Sequence, residues 1–558
     1  LIKFTAYNID KVFNFTSSAW LLNVTFLSNK GLMMENSHSS NHVHKIDGHS
    51  LTIEQLIHVS RNYSQVSLSD YARKMVHESE SQLRDLASQE RPIYGVNTGF
   101  GIFANRRIKK GQSIQLSRNL ILSHAVGIGE PFPEDIVRAA ILVRANTFAS
   151  GYSGVRPELI DLLLEMLNRR LTPYIPSQGS LGSSGDLAPL SHLALVLSKD
   201  PDPDMDGPSG KAWFNDQLFS GKEAMAAAGL TPIILHAKEG LAITNGATFA
   251  TAILGLACHD VENCLRIAEI SASLSMEALM AVTAAFDARL HQARSHPGQI
   301  AVAERIRKLL QTSTLVDSAD RVQDAYSIRC TPQVIGPVWD ILSFVQTTVS
   351  REINAATDNP LIFGLEVISG GNFHGEPIGL ASDYLKIALA EVGALAERRI
   401  YRLISEHLNE GLPPMLIMKP ENVGLQSGLM MLQYSAASLV LENQALASPA
   451  SVLSLPTSAG QEDHNANATM STRHLSKTIE NIYHILAIEL LTSAQAIDLR
   501  IQDNPEFHLG VGTSAAFHWI RCNFPLREDD YPLSEDIMNM VTLLKSQELT
   551  QIVEDVIS

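Results

Sequence analysis

The run Gly182-Ser183-Ser184-Gly185-Asp186-Leu187 holds the residues whose types and spacing promise the most chemistry. The amide nitrogen of Gly185 has no Cβ beside it, so little crowds its approach to a neighbouring carbonyl. It can attack the carbonyl of Ser183, and Ser184 can then lose its hydroxyl as water. The product is a methylidene-imidazolone ring, an electrophile made from the backbone with no added cofactor. A bare Gly-Ser-Ser-Gly is more often a linker. Here an apolar helical stretch, Leu187 to Leu197, follows at once and deep within the chain.

Such a group needs a rigid frame, and helical periodicity dominates the sequence. Phe249 to Ala293 contains no proline and only Gly255, and reads as one helix, roughly 65 Å long at ~1.5 Å per residue. Ala381, Leu385, Ala388, Val392 and Leu395 recur at a heptad-like spacing. Ile479 to Ile501 and Leu429 to Ala447 are two more long candidates, and helices of similar length imply a bundle. The fold class is therefore mainly α, a long central bundle with a smaller N-terminal domain carrying the serine loop. The expected division is a leader or appended segment over 1–32, an N-terminal domain over 33–235, a bundle over 236–525 and a helical tail over 526–558. Polar and glycine residues cluster in the loops Tyr94–Gly101, Gly179–Asp186, Asn245–Thr248, Gly370–Glu376 and Ser458–His464, where a rigid scaffold would hold chemistry. Asp200 to Gly210 reads as a surface loop.

Composition narrows the partners. The chain has 558 residues, 45% hydrophobic and 18% charged, ample for a large core. A net charge of −16 argues against nucleic acid, and the basic run Arg106 to Lys110 reads as a solvated loop. Cys258, Cys264, Cys330 and Cys522 form no disulfide framework in a chain of this length. Cys258, His259 and Cys264 share no helical face well, so no metal is expected there. Leu241 to Cys258 and Gly424 to Leu441 lack charge. Their polar residues and length read as buried core helices rather than membrane spans. No secretory signal lines up at the start, and a cytoplasmic location is expected.

Eight motifs in order resemble the histidine and aromatic amino acid ammonia-lyase family, from about Thr52 to Leu499. They are YGVNTGFG (Tyr94–Gly101), LSHAVGIGEP (Leu122–Pro131), GSSGDLAPLSH (Gly182–His192), KEGLAITNGA (Lys238–Ala247), VQDAYSIR (Val322–Arg329), NAATDNPL (Asn354–Leu361), GGNFHGEP (Gly370–Pro377) and QEDH (Gln461–His464). The resemblance implies a methylidene-imidazolone formed from Ser183, Ser184 and Gly185, and a homotetramer whose sites each draw on three copies. It also fits the chemistry. Removing ammonia from an α-amino acid means taking a barely acidic Cβ proton while a poor leaving group departs, so a base must lie within hydrogen-bond reach. Tyr94 is the expected base. A phenol normally titrates near 10, so this role requires a cation or a helix N-terminus to lower it. Arg329 is the expected carboxylate clamp, since a guanidinium makes two parallel bonds. Tyr326, three residues earlier, shares its face if helical and by resemblance helps to position substrate and move a proton. The family places Asn245 near the prosthetic group and the amine, Gln323 and Asn359 as supporting polar contacts, and Phe373 against the electrophile. Asp186 and the helix after it are expected to act on the ring, the helix by aiming its N-terminus there.

His124 and Glu462 discriminate the substrate. In the family, Ser-His at the second motif and Glu in QEDH resemble the histidine-selective branch. A polar ring and a carboxylate can address two imidazole nitrogens. A phenyl ring would leave both unpaired, at about 1–3 kcal/mol each. The implied reaction converts L-histidine to trans-urocanate and ammonia. Three positions depart from the family pattern. Ser183 stands where most members have alanine, Ala247 follows Asn-Gly in place of threonine, and Asn465-Ala466 follow QEDH. A related lyase or 2,3-aminomutase on another amino acid is the first alternative, and a helical scaffold that never cyclises is the second.

Overall fold

The computed structural model describes residues 43–88, 92–109 and 111–558. The expected leader at 1–32 lies outside the described residues. Among them helices dominate, and the strands are two to four residues long. The expected mainly α architecture is the one observed. Its centre is a bundle of the helices Thr248–Ala278, Thr331–Glu352, Glu376–Ile404, Met430–Leu446 and Ala468–Asp503. Glu376–Ile404 and Thr248–Ala278 both pack along Ala468–Asp503, which forms the axis of the core. Ile482, Ile485, Leu486 and Leu490 are fully buried on that axis, as their spacing predicts. Alanine and serine at Ala487, Ser493, Ala494 and Ala496 let the neighbouring helices approach. On the seam of Glu376–Ile404, Ala381, Leu385, Ala388 and Val392 are buried and Leu395 partly so. Residues Val43–Ser558 group as one compact unit.

The helix predicted from Phe249 to Ala293 stops at Ala278. Side chains distant in sequence end it. Met280 turns left-handed at φ 52°, and the Ala281 amide reaches back to the Met276 carbonyl at 2.9 Å. Arg321 donates to the carbonyls of Leu279 and Met280 at 2.6 and 2.9 Å, and Asp324 accepts from the Val282 amide at 2.7 Å. Helix propensity over 279–282 is overridden by these caps, and α-helix resumes only at Ala288–Arg294.

The two uncharged stretches part company. Leu241 to Cys258 is buried throughout, as expected, but breaks at Asn245–Ala247 between two helices. Met430–Leu446, within and beyond the second stretch, is no core helix. It buries Leu432, Ala436, Val440 and Asn443 and exposes Met431, Tyr434 and Leu441. Among the described residues only Ala468–Asp503 is long and apolar enough by composition to cross a bilayer, and 83% of its most apolar window is buried inside the protein.

Charge is also placed inside the bundle. Glu489 is fully buried and receives Arg399 at 2.5 and 3.0 Å, Ser271 at 2.7 Å and Ser275 at 2.8 Å. Arg399 donates in turn to the carbonyl of Ser327 at 3.3 Å. Removing one member strands a buried charge. Glu489→Ala is therefore expected to lower stability by about 3–5 kcal/mol, read as a lower midpoint in urea unfolding. An unchanged midpoint would show that the network is replaceable by water.

Candidate active site

Five polar loops predicted to carry chemistry converge at one end of the bundle. The amide of Gly246 donates to the Ser184 carbonyl at 3.2 Å, and the amide of Asp186 donates to the Gly246 carbonyl at 2.9 Å. These bonds clamp the serine loop to the Asn245–Ala247 break. The Gly375 amide donates to the Gly182 carbonyl at 3.0 Å, bringing the Phe373 loop alongside. Ser183 Oγ donates to Glu462 Oε2 at 2.7 Å, and Ser184 Oγ donates to Glu462 Oε1 at 2.9 Å. Ser458, at the head of the Glu462 loop, sits against Gly101 at the end of the Tyr94 loop.

Glycine is required where backbones touch. Gly185 has φ +81°, and a Cβ there would lie 2.1 Å from the Gly246 carbonyl carbon. Gly246 has φ +106°, and its Cβ would lie 2.2 Å from the Thr357 carbonyl oxygen. The serine tripeptide is thus held in a bend with a Cβ-free nitrogen at its end. Its leaving hydroxyl rests on a carboxylate. These residues fit a ring closed between Gly185 and Ser183.

Asp186 is fully buried, and its carboxylate does not cap the helix that follows it. Oδ2 accepts from the amides of Phe249 and Ala250 at 2.7 and 3.1 Å. Oδ1 accepts from Ser180 at 2.7 Å and from Thr469. The expectation that Asp186 and its own helix address the ring is corrected to this extent. The side chain is committed to the first turn of Thr248–Ala278, whose unpaired amides demand an acceptor. Burial raises its carboxyl above the ordinary range, against the pull of those four donors.

Tyr94 and His124 both lie close enough to Glu462 to feel its charge. Tyr94 Oη accepts from the Gly101 amide at 3.3 Å. Burial, and then the charge of Glu462, push the phenol above its ordinary value. The lowering that a base role requires is therefore not supplied by its neighbours within one chain. His124 Nδ1 lies 2.9 Å from the Leu120 carbonyl, which can only accept. Ser123 Oγ lies 2.9 Å from the same nitrogen, so Nδ1 is engaged on its own helix and Nε2 is the ring nitrogen left for other partners. Burial holds His124 below its usual value. Asn245 is 3% exposed and donates to the Asn359 carbonyl at 3.3 Å. Asn359 Oδ1 accepts from Ser369 at 3.0 Å and from the Gly370 amide at 2.8 Å, so it orders the Phe373 loop. Tyr94 and Pro360 also line a cavity of about 150 Å³ with Ser369.

Gln323, Tyr326 and Arg329 are not brought to the serines. Arg329 lies on the short helix Tyr326–Arg329, with its guanidinium 4.7 Å from the Tyr326 ring centre, the shared face that their spacing predicts. Tyr326 is 70% exposed. This helix is tied through Ser327, Arg399 and Glu489 to Ser271. Asp186 is tied to Phe249, twenty-two residues earlier on the same helix. At ~1.5 Å per residue, the two groups lie roughly 33 Å apart along the bundle.

Sequence reasoning missed two supporting groups. Arg144 is fully buried and donates to the carbonyls of Ala242 at 3.0 Å and Asn245, and to Thr357 Oγ1 at 3.0 Å. It braces the break that holds the serine loop, and burial pushes it down to about 10. The signal was a lone cation in the apolar run Ala139–Ala145. Lys238 pairs with Asp358 at 2.6 Å with both side chains fully buried, which ties the KEGLAITNGA segment to NAATDNPL. Among the described residues no cluster of three or more His, Cys, Asp or Glu side chains is arranged to hold a metal.

Gly185→Ala tests the clamp. The variant is expected to fold, yet to show an intact mass with no water lost, because its Cβ prevents the approach to Gly246. A mass lower by two waters would show that the bend tolerates a side chain.

A profile of the aromatic amino acid lyase family matches residues 51–522. The histidine ammonia-lyase of Treponema denticola is 45% identical, over 91% of this chain and 98% of its own. The crystal structure of histidine ammonia-lyase from Trypanosoma cruzi superposes with a TM-score of 0.83 at 35% identity, covering 93% of this chain and 96% of that one. A tyrosine aminomutase from Streptomyces globisporus superposes with a TM-score of 0.85 at 34% identity, covering 92% and 99%. A match of this extent, on a chain whose glycine-clamped serine loop is held against the Asn245–Ala247 break and Glu462, places the protein in the aromatic amino acid lyase family.

Proposed function

We propose that this carbon–nitrogen lyase eliminates ammonia from L-histidine to give trans-urocanate. The observation that carries the reading is the Glu462 carboxylate held on Ser183 and Ser184, with His124 near enough to feel its charge. A carboxylate, which accepts, and an imidazole, which can donate or accept, suit a substrate ring with one N–H and one bare nitrogen. A phenyl ring would bury both without partners, at a cost of about 1–3 kcal/mol each. The curated relatives named for histidine, at 42–45% identity, support the same choice.

Ser183, Ser184 and Gly185 would provide the methylidene-imidazolone, in a serine variant of the usual alanine-serine-glycine. When formed, that group supplies an electrophile for the substrate, and no metal is required. Asn245, held under the loop by Asn359 and Arg144, orients the amine. Phe373 closes the pocket against water. Tyr94 takes the Cβ proton, provided that a cation offsets the burial of its phenol. Arg329 supplies that cation and clamps the carboxylate, with Tyr326 and Gln323 beside it.

Because Arg329 lies far from Ser184 within one chain, this assignment requires a second copy. We infer a homotetramer with shared sites. Support comes from an apolar face no soluble monomer would leave bare. Leu380, Tyr384 and Ile387 are 52%, 50% and 43% exposed at helical spacing on Glu376–Ile404, and Met431, Tyr434 and Leu441 are more than half exposed on Met430–Leu446. A cytoplasmic location belongs to the same reading.

Three outcomes follow. Added histidine should raise the absorbance of urocanate. Cinnamate-like or β-amino products from other amino acids, with none from histidine, would favour the alternative that the aminomutase likeness represents. Ser184→Ala should abolish turnover without unfolding the chain, while its intact mass keeps both waters. Tyr384→Glu with Ile387→Asp should split the assembly in native mass spectrometry and cost at least ~100-fold in kcat, since whole catalytic groups are lost from each site. Full activity in a monomer would refute shared sites.

A further inference from the structure

Ser183 is 6% exposed, and its hydroxyl has Glu462 Oε2 as its partner at 2.7 Å. The other carboxylate oxygen, Oε1, accepts from Ser184 at 2.9 Å. The Glu462 backbone is pinned separately, its amide to the Thr457 carbonyl at 3.3 Å and its carbonyl to the Thr457 amide at 2.7 Å. Thr457 Oγ1 reaches Oε2 only at 3.5 Å. The carboxylate's orientation is thus set chiefly by the two serine hydroxyls.

Ring formation treats these hydroxyls differently. A bond forms between Gly185 N and the carbonyl carbon of Ser183. One water takes the Ser183 carbonyl oxygen with the protons of the Gly185 and Ser184 amides. A second takes Ser184 Oγ and its proton together with the Ser184 Cα proton. Ser183 Oγ takes no part and stays on the chain. An alanine at this position would leave no such donor.

We propose that Ser183 is a positioning residue: it keeps Glu462 Oε2 engaged after cyclisation, so that Oε1, vacated by Ser184, is the oxygen presented to the substrate's imidazole ring. This rests on the histidine reading above. A hydrogen bond to a charged group holds one orientation more firmly than a neutral one, so Oε1 keeps the direction in which it now meets Ser184 Oγ.

The test is a double-mutant cycle read by calorimetry with imidazole, which probes the ring contacts without turnover. Ser183→Ala should weaken imidazole binding by roughly fivefold to tenfold, and the same change in a Glu462→Gln background should alter it by less than about twofold. Ser183→Thr, which keeps the hydroxyl, should restore most of the affinity. Intact mass should show that Ser183→Ala still loses two waters, and repeating the cycle in Ser184→Ala, where no ring can form, should give the same coupling. An equal effect in both Glu462 backgrounds, or no effect in either, overturns the proposal. Urocanate formation by the unaltered chain with no Ser183–Glu462 coupling overturns this inference alone. A chain that forms no urocanate from histidine overturns the reading beneath it.

Discussion

The buried carboxylate of Asp186 is the constraint on which the rest depends. It has no solvent exposure and no cationic partner among its hydrogen bonds, and is satisfied by two backbone amides and two hydroxyls. Those donors come from three places: the first turn of Thr248–Ala278, the first turn of Ala468–Asp503, and Ser180 just upstream of the serine loop. An anion desolvated this fully is costly unless each lone pair is met. The starts of two long helices and the reactive loop therefore cannot move independently.

The same logic recurs along the bundle. Glu489 with Arg399, Lys238 with Asp358, and Arg144 with three backbone carbonyls each place charge where the surrounding helices are apolar. Replacing such groups by hydrophobic residues is often neutral for stability. Here each one fixes the height at which one segment meets another. Arg144 holds the break at Asn245–Ala247, Lys238 holds the segment before it, and Arg399 holds the helix carrying Arg329. A bundle built only from leucine and alanine would tolerate sliding by a turn. One built around these pairs has a single register.

The loops were legible in the sequence because glycine, serine and asparagine in clusters have few other uses. All five converge as their composition suggests. The long helices were legible from their spacing, but the end of one and the start of another, at Ala468 and not Ile479, were not. Nothing local marks Leu279–Val282 as a stop, since Arg321 and Asp324 act from some forty residues downstream. Arg144 and the Asp186 partners were hidden for the same reason. Their roles are hydrogen bonds to backbone groups of other segments, which leave no periodic trace. What surrounds Tyr94 was not legible, because a phenol's pKa depends on burial and on charges from other segments, here its own burial first and then Glu462.

The length of Thr248–Ala278 has a consequence for genetics. One end of this helix holds the serine loop and the other the segment bearing Arg329, so the two groups proposed to share the chemistry lie on one molecule yet do not meet there. In an assembly that joins one copy's start to another's finish, lesions at opposite ends are not equivalent to lesions at the same end. On the proposed assignment, a chain lacking Ser184 and a chain lacking Arg329 would each be inert alone. Co-assembled, they contain some pockets that draw both intact halves from different parents. Two null alleles would thereby complement one another, at a level set by random mixing, whereas two nulls at the same end never would.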